Sequence, residues 1–121
     1  MEINDDVYRD LLGICLTAPD KIPYILTKVP VDNIPKGVYN TIYQTISDLY
    51  NIGVSVDIVT VSNRLLNTGK LKDIGGRAFI NNLALEAIHP RHTNQTVEAV
   101  LNQNTFKKVS NIVEEFGAQL H

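Results

Sequence analysis

Few residues in this chain combine type and spacing in a way that could do chemistry. The fragment Thr68-Gly69-Lys70 has the look of the end of a phosphate-binding loop. Such a loop needs a glycine five residues before its second glycine, and a Ser or Thr after the lysine. Arg64 and Leu71 occupy those places, so the fragment reads as a helix stop followed by a surface lysine. His89 and His92 lie three apart around Pro90, with His121 far away. Two histidines with no cysteine or carboxylate cluster beside them fall short of a zinc centre. Cys15 sits on an apolar helical face, where it packs as a small hydrophobe, and no base is nominated to activate it.

The carboxylate pairs Asp5-Asp6 and Glu114-Glu115 are adjacent in sequence. Neighbours on a helix point in different directions and cannot converge on one substrate atom. Tyr39, Tyr43 and Tyr50 follow helical spacing, which favours core packing over base stacking. The reading is that this chain has no catalytic, cofactor-binding or metal residues, and that its function lies in contacts.

The elements that would present those contacts are all helical. Asn4 and Asp5 are placed to cap a helix with Val7, Leu11, Leu12, Cys15 and Leu16 on its apolar face. Pro19 ends it. Asp20 is placed to cap a short second helix that buries Ile22, Ile25 and Leu26, with Pro23 in its first turn, where a missing N–H is harmless. Pro35 opens a third helix running to about Asn51, with a stripe of Val38, Ile42, Ile46, Leu49 and Tyr50 and a glycine stop at Gly53. Asp57 caps a fourth, whose face is Ile58, Val61, Leu65 and Leu66 and whose stop is Gly69. The β-branched run from Val54 to Thr60 is not read as a strand, because no partner strand exists. Gly75-Gly76 turns into a fifth helix carrying Ala78, Phe79, Leu83 and Leu85 or Ala87, and Pro90 breaks it.

From about Asn94 to Leu120 there is no proline and one glycine, Gly117. A single helix of that length would measure about 40 Å. It keeps an apolar face (Val97, Val100, Leu101, Phe106, Val109, Ile112, Val113 and Phe116) that a small globule cannot wholly cover, and such a face predicts self-association or a docked partner. The first three residues can equally pack on the globule. The fold class is therefore all-α, a multi-helix globule over residues 1–90 followed by a long C-terminal helix over 91–121.

Composition narrows the setting. The 121 residues are 44% hydrophobic and 20% charged, with 11 basic and 13 acidic residues and a net charge of −2. That balance disfavours autonomous binding of nucleic acid, which usually needs a basic face. The densest basic stretch, Arg64, Lys70, Lys72 and Arg77, is interrupted by Asp73. No apolar run is long enough for a membrane span, and the acidic N-terminus is unlike a signal peptide. One cysteine fits a reducing compartment. A cytoplasmic protein is expected.

The order of the motifs says more than any one of them. Asp48-Leu49-Tyr50, Gly53, Val56-Asp57, Val59-Thr60-Val61, Leu65, Gly69, Leu71 and Ile74-Gly75-Gly76 follow one another without a gap. Upstream stand Val7, Leu11-Leu12-Gly13 and Pro19; downstream come Pro90, Asn94 and Lys107-Lys108. The set resembles the N-terminal domain of DnaB-type replicative DNA helicases over nearly the whole chain, departing from it in residues 85–93.

The resemblance implies a helical globule followed by a helical hairpin, of which the C-terminal helix is the first arm. It implies six copies in a collar, a trimer of dimers above a ring of ATPase motors, with the primase C-terminal domain or a helicase loader as partners. DNA would be met only indirectly. ATP and Mg would belong to the motor of the parent protein, beyond this chain's end, so the chain is expected to be an excised piece. The second reading is a stand-alone phage- or plasmid-type regulator that binds a replicative helicase or primase.

Overall fold

A helix with one packing neighbour buries a stripe; a helix buried all the way round must lie in the middle of its domain. Leu11, Leu12, Gly13, Ile14, Cys15 and Leu16 are consecutive and all buried. The structure, a computed structural model, describes residues 5–103. In it α1 (Asp6–Thr17) is packed by α3 (Val38–Asn51) and α5 (Gly76–Leu85), and α4 (Ile58–Asn67) bridges those two. A short α2 (Ile22–Lys28) follows a 3-10 turn at Pro19–Lys21. A sixth helix, α6, begins at residue 93 and reaches the last described residue, 103. Its Val97 and Val100 are wholly buried in the same core as α1. Every regular element among the described residues is helical, with no strand; 54–56 is a loop leading into α4.

The sequence's start and stop signals are realised unevenly. Asp57 caps α4: its carboxylate accepts the Thr60 N–H at 2.8 Å while the Thr60 hydroxyl accepts the Asp57 N–H at 3.0 Å. The two bonds satisfy reciprocal orphan donors. At the far end Gly69 takes φ +74. Its N–H and that of Lys70 turn back onto the Leu66 and Leu65 carbonyls, the paired bonds of a left-handed helix stop. Gly53 ends α3 in the same way, through Tyr50 and Leu49.

Other signals are overruled. Asp5 occupies the N-cap position of α1 with no side-chain cap bond, because its backbone is already helical and carries the carboxylate away from the free N–H groups. Asn4 lies outside the described residues. Asp20 does not cap α2: Pro19 opens a 3-10 turn that takes Asp20 into itself and leaves Lys21 at the N-cap. Pro35 does not open α3, which starts at Val38 after Gly37 with φ 141. α5 ends at Leu85, before Pro90, which instead begins a 3-10 turn, Pro90–His92.

Some assigned faces are also rotated. Leu66 and Leu85 are exposed, at 55% and 83%, and Ala78 is exposed too. Ile80 and Leu83 are the buried residues of α5. That rotation is fixed by Gly13. A Cβ there would stand 2.7 Å from the Leu83 carbonyl oxygen and 3.0 Å from the Ala87 Cβ, so α1 and the end of α5 approach closely only because residue 13 has no side chain.

Two buried polar groups tie the connectors down. The Tyr43 hydroxyl donates to the Val29 carbonyl at 2.6 Å, fixing the end of α2 to α3. The Asn40 amide donates to Val31 and Ile34 carbonyls at 3.1 and 2.8 Å, holding the turn before α3. Buried polar groups so satisfied specify one arrangement of the chain around them.

Gly13→Ala is expected to destabilise the domain by about 1–3 kcal/mol through overpacking, and Asp57→Ala by about 1 kcal/mol through the lost cap. Urea unfolding followed by circular dichroism measures both; a neutral Gly13→Ala would refute the close crossing.

Candidate interaction surface

The residues that could have done chemistry are occupied otherwise. A phosphate loop works by offering free backbone N–H groups. Those of Gly69 and Lys70 are taken by the carbonyls of α4, so Thr68-Gly69-Lys70 is a helix stop. His89 Nδ1 accepts the Arg91 N–H at 3.0 Å, and Arg91 Nε reaches His92 Nε2 at 3.5 Å. Among the described residues no three His, Cys, Asp or Glu side chains gather as a metal site would require. Cys15 is fully buried, and burial pushes its thiol up to about 12. Arg64, Lys70, Lys72 and Arg77 are all exposed, with Arg77 donating to Asn63 Oδ1 at 3.1 Å.

α6 carries the first three of the residues read as an interface. Val97 and Val100 are buried in the globule's own core, and Leu101 packs partly against it. The Thr96 hydroxyl donates to the His92 carbonyl at 2.9 Å. The Gln103 side chain hydrogen-bonds to the phenol of Tyr8. Phe106, Val109, Ile112, Val113 and Phe116 lie outside the described residues.

Sequence reasoning passed over the side chains that organise the surface beside Tyr8. Tyr39 lies between Tyr8 and Phe79, with ring centroids 6.2 Å from each. Arg9 stacks over Phe79 at 5.6 Å and pairs with Glu86. Hydrogen bonding to Glu86, then to Tyr39, holds the Arg9 guanidinium protonated even more firmly than usual. With Pro35, Lys36, Gly37 and Val38 the three rings line a groove of about 330 Å³. The Arg9–Glu86 pair spans 77 positions of sequence, and no local spacing could have announced it. A second surface feature is an apolar band, Tyr50, Ile52, Val54, Val59 and Leu66, exposed at and after the α3–α4 corner.

The described residues thus form an all-helical domain with apolar and charged side chains at its surface. The model of the family described as DnaB-like helicase N terminal domain matches residues 3–115. The chain belongs to that family.

It is similar to the replicative DNA helicase DnaB of Mycobacterium leprae (strain TN), with 31% identity over 75 residues, 62% of this chain. The match spans 12% of that relative's length. The fold is that of the crystal structure of the N-terminal domain of DnaB helicase from Mycobacterium tuberculosis, with TM-score 0.83 at 22% identity, covering 96% of this chain and 85% of that one. A solved DnaB-like replicative helicase, described with its interactions with primase, matches with TM-score 0.79 at 24% identity. It covers 97% of this chain and 27% of that one. No helix among the described residues is long and apolar enough to cross a membrane.

Cys15 supplies a test of the packing beneath this surface. The folded protein is expected to resist a thiol reagent at mild alkaline pH and to react only when denatured. Its thiol is raised in the folded state above the ordinary 9.0. The resulting stability is therefore complete below pH 9 and is lost as pH climbs toward 12. Rapid labelling of the native protein would contradict this burial.

Proposed function

We propose that this chain serves as the collar domain of a hexameric replicative helicase, joining copies of the parent protein and receiving the primase C-terminal domain or a loader. The observation that carries the reading is the family match over residues 3–115, which takes in Phe106, Val109, Ile112 and Val113 as well as the globule. The fold similarity to a DnaB-like helicase described with primase supports the primase half.

The physical logic concerns the division of one apolar stripe in the sequence. Its first apolar residues, Val97 and Val100, go to the domain's own core. The apolar positions that follow in sequence, Phe106, Val109, Ile112, Val113 and Phe116, continue the stripe and are assigned to pairing with a second copy. Burial of large apolar side chains contributes about 1.5–3 kcal/mol each, so a few such residues from each copy suffice for a dimer after the cost of association. Motor activity, with ATP and Mg, is assigned to the rest of the parent protein, and DNA contact to the assembled ring. The setting proposed is the cytoplasm, where Cys15 stays reduced.

Ile112→Asp or Phe116→Asp is expected to weaken self-association by about tenfold or more, since an unpaired carboxylate resists burial, while far-ultraviolet circular dichroism stays helical. Analytical ultracentrifugation reads the effect; a strictly monomeric unmutated chain at high concentration would sink the pairing. Pull-down with the primase C-terminal domain tests the other half, and failure of the full chain to retain it counts against primase docking.

A further inference from the structure

The end of α1 opposite the aromatic groove carries a different chemistry. Lys21 and Tyr24 come from the entry turn and body of α2, and Arg91, Thr93 and Asn94 from the 3-10 turn and the start of α6. With Asp20 and Pro90 they line a notch of about 370 Å³. The ion pair recorded among the described residues is Arg9–Glu86, so neither Lys21 nor Arg91 has a carboxylate within bonding reach there. Arg91 uses Nε toward His92, and the two terminal nitrogens of its fork have no hydrogen-bond partner among the described residues. Lys28 stands over the Tyr24 ring at 5.9 Å, adding a third cation beside the notch. Tyr24 is itself 38% exposed.

Lys21, Arg91 and the neighbouring Lys28 outnumber the one carboxylate of the wall, Asp20, and an anionic occupant balances that excess. An arginine fork suits carboxylate geometry with two parallel bonds. A tyrosine beside the cations supplies an apolar surface for a neighbouring side chain.

We propose that this notch docks an acidic segment of a partner protein. Carboxylates meet Arg91 and Lys21, and an adjacent apolar residue lies against Tyr24. A nucleic acid strand fits less well: strand binding needs a basic groove tracking several nucleotides, whereas this is a single notch with Asp20 in its wall. None of its lining residues belongs to the apolar set assigned to pairing between copies, so the two readings can be tested independently.

The test uses the 121-residue chain and a fluorescein-labelled peptide alternating glutamate and aspartate around one central leucine. Anisotropy is expected to show binding at low ionic strength that weakens with added salt. Lys21→Glu with Arg91→Glu should lower the affinity by about tenfold. Arg64→Glu with Lys72→Glu should leave it unchanged. If the reversed pair unfolds by circular dichroism, Lys21→Gln with Arg91→Gln gives the same comparison. Absence of binding, or equal loss in the Arg64 and Lys72 variant, overturns the site. An oligothymidylate that binds through Lys21 and Arg91 where the peptide does not would make it a nucleic-acid site instead. Loss of self-association in the Lys21 and Arg91 variant would make the occupant a second copy, and the partner reading would fall.

Discussion

The structure depends on one close approach, the crossing of α1 and the end of α5 at Gly13. Without a side chain at that position the two backbones come within reach of each other, and Leu83 and Ala87 close over the middle of α1. Close packing of this kind leaves no room for adjustment. It decides which face of α5 is buried, and so sets Ile80 and Leu83 inward and leaves Leu85 outside. The long-range Arg9–Glu86 contact joins the same two helices at the surface.

Around that crossing, polar groups do what apolar contacts cannot, which is to choose one chain path among several of similar burial. Tyr43 reaches the last carbonyls of α2, and Asn40 grips the turn that leads into α3. Both are satisfied by backbone acceptors rather than by other side chains, so each fixes a loop rather than a neighbouring helix. Burial raises the Tyr43 phenol, so the group stays neutral and remains a donor.

How much of this was legible in the sequence depends on the range of the signal. The glycine stops at Gly53 and Gly69 and the cap at Asp57 are local chemistry, written within a few residues, and each is found where its residues placed it. Asp5 and Asp20 show the limit of that grammar: a capping residue type can be present and unused when its own backbone is already turning. Helix rotation was less legible, because Leu66 and Leu85 fit an apolar stripe by type and yet face solvent. What was illegible is what joins distant positions: Arg9 with Glu86, the three rings beside Tyr8, and the cations gathered from residues 21 and 91. The candidate interface was readable as a stripe on the long helix. That Val97 and Val100 belong to the domain's own core could not be read from periodicity, since the same apolar spacing continues in the sequence to Phe116.

The central position of α1 has a consequence for the order in which this domain is made. Its buried residues leave the ribosome about eighty positions ahead of Val97 and Val100, which complete their burial near the end of the described residues. A nascent chain therefore carries an apolar helix without its full cover until α6 has emerged, a state that invites holding by chaperones. The globule closes only when α6 has emerged, so the step that finishes the core also brings out the start of the helix proposed to meet a second copy.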